Sequence, residues 1–218
     1  MPTAALVTWE TGHSAPMYTR ELLIVLGFAV TTFDQSAMST PSTLAGFDVI
    51  CLIRLDGSMP VANGSLIRGL LELDVPILSG MLDGGVGAGD GQNWSLSAAG
   101  FGSSMGYWGQ TPDEWVGGDA LPLPISGYLA DYGAFISNPV GVTVTANQYG
   151  PSTVLVDRGT NIGGILTTAK VLISATPHAV NAPLAGPRYA LASELLAWLL
   201  TANDAPAPPR TTLQLWPR

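Results

Sequence analysis

A run of seven residues, 47–53 (FDVICLI), constrains the fold of this chain most strongly. All of them except Asp48 are apolar, whereas a strand with one face in water alternates apolar and polar side chains. A strand this apolar is typical of the interior of a parallel sheet that helices cover on both faces. The run therefore predicts an α/β protein.

The first third of the chain alternates between strand-like and helix-like patterns. Strands are predicted over residues 4–9, 28–33 and 75–78, and helices over residues 14–27 and 65–73. Strands that alternate with helices form parallel sheets through right-handed crossovers. This part predicts a three-layer, doubly wound α/β fold with a mostly parallel sheet.

The last third of the chain predicts antiparallel additions to that sheet. Residues 141–145 and 152–156 flank the turn-like sequence NQYGP, which indicates a hairpin. Two more strands are predicted over residues 165–168 and 170–174. A closing helix is predicted over residues 187–200.

Charge and composition restrict the partners of this chain. The net charge of −8 disfavours nucleic acid, because contacts to phosphates need a basic surface. Only 11% of the residues are charged, well below the usual fraction. A surface so poor in charge favours burial against copies of the chain or other subunits. Lys170 is the only lysine, and such arginine bias is typical of GC-rich genomes.

Cellular location is inferred from features that the chain lacks. The lone cysteine, Cys51, rules out an internal disulfide framework. No stretch reaches the length of about 18 apolar residues that a membrane span needs, and no basic region precedes the first strand. We therefore expect a protein that is cytoplasmic or assembled in the cytoplasm, with no membrane partner.

The chain divides into a single domain, residues 1–203, and a proline-rich arm, residues 204–218. Within the domain, residues 83–118 form a predicted insertion loop rich in glycine and aromatic residues. Adjacent acidic residues in that loop, Asp113 and Glu114, are interpreted as an exposed turn.

In the arm, a stiff spacer precedes an alternating segment that contains Leu213, Leu215 and Trp216. Such a segment can dock on a neighbour by strand addition, or it can lie on its own domain.

Three stretches of the chain carry a family resemblance. They are LAGFDVI (44–50), PILSGMLDG (76–84) and VLISATPH (171–178). Together they resemble the class I glutamine amidotransferase-like superfamily, and within it the trehalose-utilisation-type (ThuA-like) branch. The second stretch is similar to the family's nucleophile elbow. The resemblance covers roughly residues 3–202 and implies a flavodoxin-like α/β domain.

Two departures from the family pattern affect its expected activity. The elbow position that carries the catalytic cysteine in the family is Met81 here, and a thioether cannot attack an amide carbonyl. After His178, Ala179 and Val180 stand where the family's orienting glutamate would follow. The resemblance thus implies a domain that lacks the catalytic Cys and Glu, and we favour no catalytic residue.

In an alternative interpretation, the chain is an enzyme whose active site lies at the carboxyl edge of the sheet. Glu10, Asp56, Asp83 and His178 each follow a predicted strand, so they are expected to share that edge. A ThuA-like hydrolase or carbohydrate-active enzyme would use these four groups for acid–base work.

A third interpretation is a module that binds a sugar or another small ligand. His13 at the same edge, with Trp94 and Trp108 as stacking platforms, would form its site. Two histidines without a spacing signature do not indicate a metal site, so we expect neither a metal nor a cofactor.

The preferred function is a non-catalytic, amidotransferase-like domain that acts as a structural or interaction subunit. Low charge, an aromatic-rich loop and an apolar arm favour self-association or a larger assembly. The arginine bias would suit a virion protein, in a capsid or a tail, of a bacteriophage with a GC-rich host.

Overall fold

A computed structural model describes eleven segments of the 218-residue chain. They are residues 1–8, 11–12, 14–53, 69–80, 105–106, 112–116, 128–131, 135–136, 140–162, 164–174 and 186–201. Structural statements below refer to these residues.

Two whole helices, a helical segment at residues 69–71 and thirteen strands are described. The helices are α1 (Ser14–Val25) and α2 (Gly186–Leu200), and two short 3-10 helices span Gln35–Ser39 and Pro41–Thr43. The strands are β1 (Thr3–Thr8), β2 (Ala29–Asp34), β3 (Val49–Ile53), β4 (Ile77–Gly80), β5 (Met105–Gly106), β6 (Pro112–Trp115), β7 (Tyr128–Asp131), β8 (Phe135–Ile136), β9 (Val142–Asn147), β10 (Gly150–Val156), β11 (Asn161–Ile162), β12 (Ile165–Leu166) and β13 (Val171–Ser174). In the described part of the chain, neither helix combines the length and the apolar character needed to span a membrane.

Nine of these strands form one mixed sheet in the order β2-β1-β3-β4-β13-β10-β9-β6-β7. The first five run parallel to one another, and β10, β9, β6 and β7 continue the sheet in antiparallel fashion. The predicted α/β fold, with a mostly parallel sheet and antiparallel additions in the C-terminal half, is therefore confirmed.

The sheet is covered on both faces, as the apolar sequence of β3 predicts. All five side chains of β3 are buried, and they alternate between two apolar clusters. One cluster joins the sheet to α1 and α2, through residues such as Leu23 and Leu195. The other contains Leu44, Leu70 and Leu71 from the opposite side of the sheet. The sheet and the segments that pack on its two faces through these clusters form three layers.

The end of α1 shows how local sequence sets an element boundary. Gly27 has a φ of +89°, a left-handed conformation that glycine adopts without steric strain. Its N–H donates to the carbonyl of Ile24, and the N–H of Phe28 donates to that of Leu23. This pair of bonds is a Schellman motif, which satisfies the last carbonyls of the helix. It lets the chain turn directly into β2.

The structure corrects the interpretation of Asp113 and Glu114 as an exposed acidic turn. Both residues lie in β6, where Asp113 pairs with Ala130 of β7 and Glu114 pairs with Ala146 of β9. The prediction failed because β6 starts at a proline and contains two acidic residues, which local preference assigns to loops. Pairing with β7 and β9 outweighs that preference.

Candidate functional site at the carboxyl edge of the sheet

The strand order creates a topological switch point between β1 and β3. The chain passes from β1 to β2 on one side, then returns to place β3 and β4 on the other side of β1. The five parallel strands thus have the order of the flavodoxin-like doubly wound sheet, in which ligands bind outside the carboxyl ends at the switch point. This edge is the candidate site.

The last residues of four adjacent parallel strands form the floor of that edge. They are Thr8, Ile53, Gly80 and Ser174, and Ile53 pairs with Gly80 in register. Thr8 and Ser174 are fully buried, and Ser79, one residue before the end of β4, is nearly so. Three buried hydroxyl groups, two in the floor and one beside it, therefore lie at this edge of the sheet.

Two pairs of buried hydroxyls link the antiparallel strands, and one of these pairs includes Ser174 of the floor. The oxygens of Thr153 Oγ1 and Ser174 Oγ are 3.1 Å apart, which links β10 to β13. Thr145 Oγ1 and Ser152 Oγ are 2.8 Å apart, which links β9 to β10. Buried hydroxyls need such partners, because an unsatisfied polar group in a core is destabilising. These contacts indicate a structural role, which sequence analysis did not anticipate.

Cys51 lies away from the carboxyl edge. It occupies the middle of β3, where it pairs with Leu6 of β1 and Leu78 of β4. The side chain is fully buried, and this burial raises the pKa of the thiol to about 12. The thiol is therefore protonated at neutral pH, and a protonated thiol is a poor nucleophile.

All the candidate site residues from sequence lie outside the described residues. They are Glu10, His13, Asp56, Asp83, Trp94, Trp108 and His178, together with Met81 and the arm residues Leu213, Leu215 and Trp216. The strands that precede four of them in the chain are described. Glu10 follows β1, Asp56 follows β3, Asp83 follows β4 and His178 follows β13. Since these strands are adjacent and parallel, their carboxyl ends share one edge, and a shared site there stays a prediction.

Metal binding was not expected from the sequence. Within the segments that the structure describes, no group of three or more His, Cys, Asp or Glu side chains could hold a metal ion.

Comparison with known proteins reveals similarity at the level of fold. No family model and no curated protein matches the sequence. A protein described as a GMP synthase subunit, from Thermoplasma acidophilum, has 13% identity and a TM-score of 0.54, with 92% of each chain covered. The N-terminal domain of mmIFT52 has 16% identity and a TM-score of 0.53, covering 92% of this chain and 98% of that one. At these identities the likeness shows a shared fold.

Proposed function

We propose that this chain is a non-catalytic, amidotransferase-like domain that serves as a structural or interaction subunit of a larger assembly. The position of Cys51 carries the proposal. The chain has one cysteine, and it lies buried within β3 rather than after β4, where the family places its nucleophile. The residue that follows β4 in the chain is Met81. A cysteine-dependent attack on glutamine therefore has no nucleophile at the elbow.

Exposed apolar side chains support a role in assembly. Helix α1 leaves Met17, Ile24 and Val25 about half exposed, and they share one face of the helix because they are seven and eight residues apart. Both structural neighbours are themselves parts of larger units by name: the first is a subunit, the second an N-terminal domain. The arginine-biased composition supports the narrower proposal of a bacteriophage virion protein.

Two measurements on the full chain test this function. We expect no release of glutamate from glutamine by the wild-type protein above the level of Cys51→Ser. We also expect a molecular mass in solution above that of one 22.6 kDa chain. Glutaminase activity that Cys51→Ser abolishes would contradict the first half of the proposal, and a monomer at every concentration would contradict self-assembly.

A further screen addresses the hydrolase and ligand-binding alternatives. Wild-type protein and the double variant Asp83→Asn/His178→Ala are compared for hydrolysis of sugar esters and for thermal shifts with sugars. Equal behaviour of the two proteins is expected for a structural subunit. Turnover or a ligand-induced shift that the double variant loses would replace the proposal with an enzyme or a binding module.

A further inference from the structure

We propose that the outer edge of β2 is the acceptor for residues 211–216 (TTLQLW) in the C-terminal arm of a second copy of this chain. The inference rests on the proposed function, and it names the surface through which two copies associate.

The edge of β2 is open and regular. β2 is the end strand of the nine-stranded sheet, and no strand in the described segments pairs with its outer side. Its register with β1 continues without a bulge for six residues. The sequence AVTTFD contains no proline or lysine, which natural edges often use to prevent pairing. Such an edge is a template for an added strand.

Specific backbone groups are available on this edge. The N–H of Ala29 donates inward to the carbonyl of Pro2. Because successive residues of a strand direct their backbone groups to opposite sides, Val30 and Thr32 direct theirs outward. Thr32 is also exposed. An incoming strand can therefore pair with β2 without disturbing its bonds to β1.

Both faces of β2 offer apolar contacts to such a strand. Val30 packs with the cluster that contains α1, whereas Phe33 packs on the opposite face, edge-on to Phe47 at 5.5 Å between ring centroids. If the arm segment forms a strand, Leu213 and Leu215 fall on one face of it and Trp216 falls on the other. Its six residues match the six residues of β2, and it brings apolar side chains to both faces.

Charge favours the arm over direct pairing of two β2 edges. Residues 205–218 contain Arg210 and Arg218 and no acidic residue. The preceding 204 residues then hold six basic and 16 acidic residues, a net charge of −10. Two such bodies repel each other, whereas residues 205–218, with a side-chain charge of +2, are attracted to an edge with exposed Asp34.

The position at which α2 ends and the stiffness of the spacer favour docking of the arm on a second copy rather than on the same chain. α2 ends beside Lys170, which precedes β13, so Thr201 at that end lies four strand spacings from β2, about 19 Å away. Docking on its own β2 requires the chain to cross the amino ends of β4, β3 and β1. The spacer APAPP favours an extended, stiff conformation of about 3 Å per residue, which restricts the paths by which the arm can follow its own sheet.

Complementation between two variants tests the proposal. In the full chain, Thr32→Pro removes an outward N–H from the edge and leaves the inward bonds of β2 in place. A chain lacking residues 205–218 keeps the edge and loses the arm. Analytical ultracentrifugation should show an assembly of two or more copies for wild type and for the control Thr32→Ala. Each of the two variants alone should be monomeric, and their mixture should form a 1:1 heterodimer.

Other results would overturn the proposal. A monomeric wild type whose arm is protected from protease, in a way that Thr32→Pro abolishes, would place the arm on its own domain. Assembly that persists in both variants would keep the proposed function but exclude this surface. If circular dichroism shows that Thr32→Pro does not fold, the arm variant Leu213→Asp/Leu215→Asp is used in its place. Competition by a peptide of residues 205–218 then takes the place of the mixing experiment. In that version, assembly unaffected by either reagent would overturn the proposal.

Discussion

Lys170 Nζ lies 4.9 Å from the centroid of the Trp198 ring, so the only lysine of the chain sits over an aromatic face of α2. The same ammonium donates to Thr201 Oγ1 at 2.6 Å and to the carbonyl oxygens of Trp198 and Thr201 at 3.2 and 3.3 Å. A cation at this position complements the negative end of the helix dipole. Lys170 thus fastens the end of α2 to the start of β13.

Replacement of Lys170 by methionine should destabilise the protein. The variant keeps much of the side-chain volume but loses the hydrogen bonds to the end of α2, for an expected loss of about 1–2 kcal/mol in the free energy of unfolding. Urea denaturation measures this value. The control Arg158→Met removes a cation from an exposed pair with Asp74 at 3.7 Å and should change stability by less than about 0.5 kcal/mol. Equal effects of the two variants would contradict the role of Lys170.

The stability contribution of Lys170 should also depend on pH. Burial lowers the pKa of its ammonium from the usual 10.5, and the nearby Asp157 carboxylate partly opposes this. Because the pKa of Lys170 is lower in the folded chain than in the unfolded chain, the unfolded chain binds more protons than the folded chain just below pH 10.5. The free energy of unfolding therefore rises with pH in that window. In that window, the free energy of unfolding of wild type should therefore rise with pH relative to that of Lys170→Met. If the free energy of unfolding of wild type falls with pH relative to that of Lys170→Met, the pKa of Lys170 is raised rather than lowered.

Cys51 should be unreactive in the folded protein. Since burial raises its pKa to about 12, labelling by Ellman's reagent at mildly alkaline pH should be at least about a hundredfold slower than in the urea-unfolded chain. The raised pKa also means that stability is retained below the ordinary thiol value of 9.0 and is lost as pH rises from there toward 12. Cys51→Ala should lack this loss. Rapid labelling of the native thiol would instead show that Cys51 is accessible.

The hydroxyl pair Thr153–Ser174 should behave as one unit. Thr153→Val and Ser174→Ala each deprive the remaining hydroxyl of a buried partner, at an expected cost of about 1–3 kcal/mol. The double variant should lose less than the sum of the single losses, by about 0.5 kcal/mol or more. Thr31→Val, at an exposed side chain of β2, serves as the control and should be nearly neutral. Additive effects would show that the two hydroxyls do not interact.

Two glycines with positive φ should differ in their tolerance of a side chain. A Cβ at Gly141 would overlap the carbonyl oxygen of Leu155, and its φ is +117°. At Gly27, φ is +89° but no atom lies within 4 Å of the added carbon. Gly27→Ala should therefore cost about 1 kcal/mol from backbone strain, whereas Gly141→Ala should cost more than about 2 kcal/mol. Thermal unfolding monitored by circular dichroism compares the two, and equal costs would argue against the overlap.

By itself, the sequence determined the parallel half of the fold and one chemical limit on its activity. The uniformly apolar β3 requires cover on both faces, and Gly27 requires the helix to end there, since both effects act over a few neighbouring residues. The sequence also limits one kind of chemistry, because the stretch 76–84 that resembles a nucleophile elbow contains no cysteine, and the proposed lack of a cysteine nucleophile follows from the residues themselves. The carboxyl-edge site itself stays a prediction, because its side chains lie beyond the described segments.

Only the tertiary structure decided the strand order, the extent of the antiparallel half and the partners of the buried polar groups. β6 and β7 contain acidic residues and lack a strong strand pattern. The assignment of β6 depends on pairing with β9 and that of β7 on pairing with β6, each more than ten residues away in the chain. Lys170 and Ser174 have partners 31 and 21 residues distant, Thr201 and Thr153. Local sequence preference does not encode such pairings, because their free energy arises when distant segments meet and exclude water.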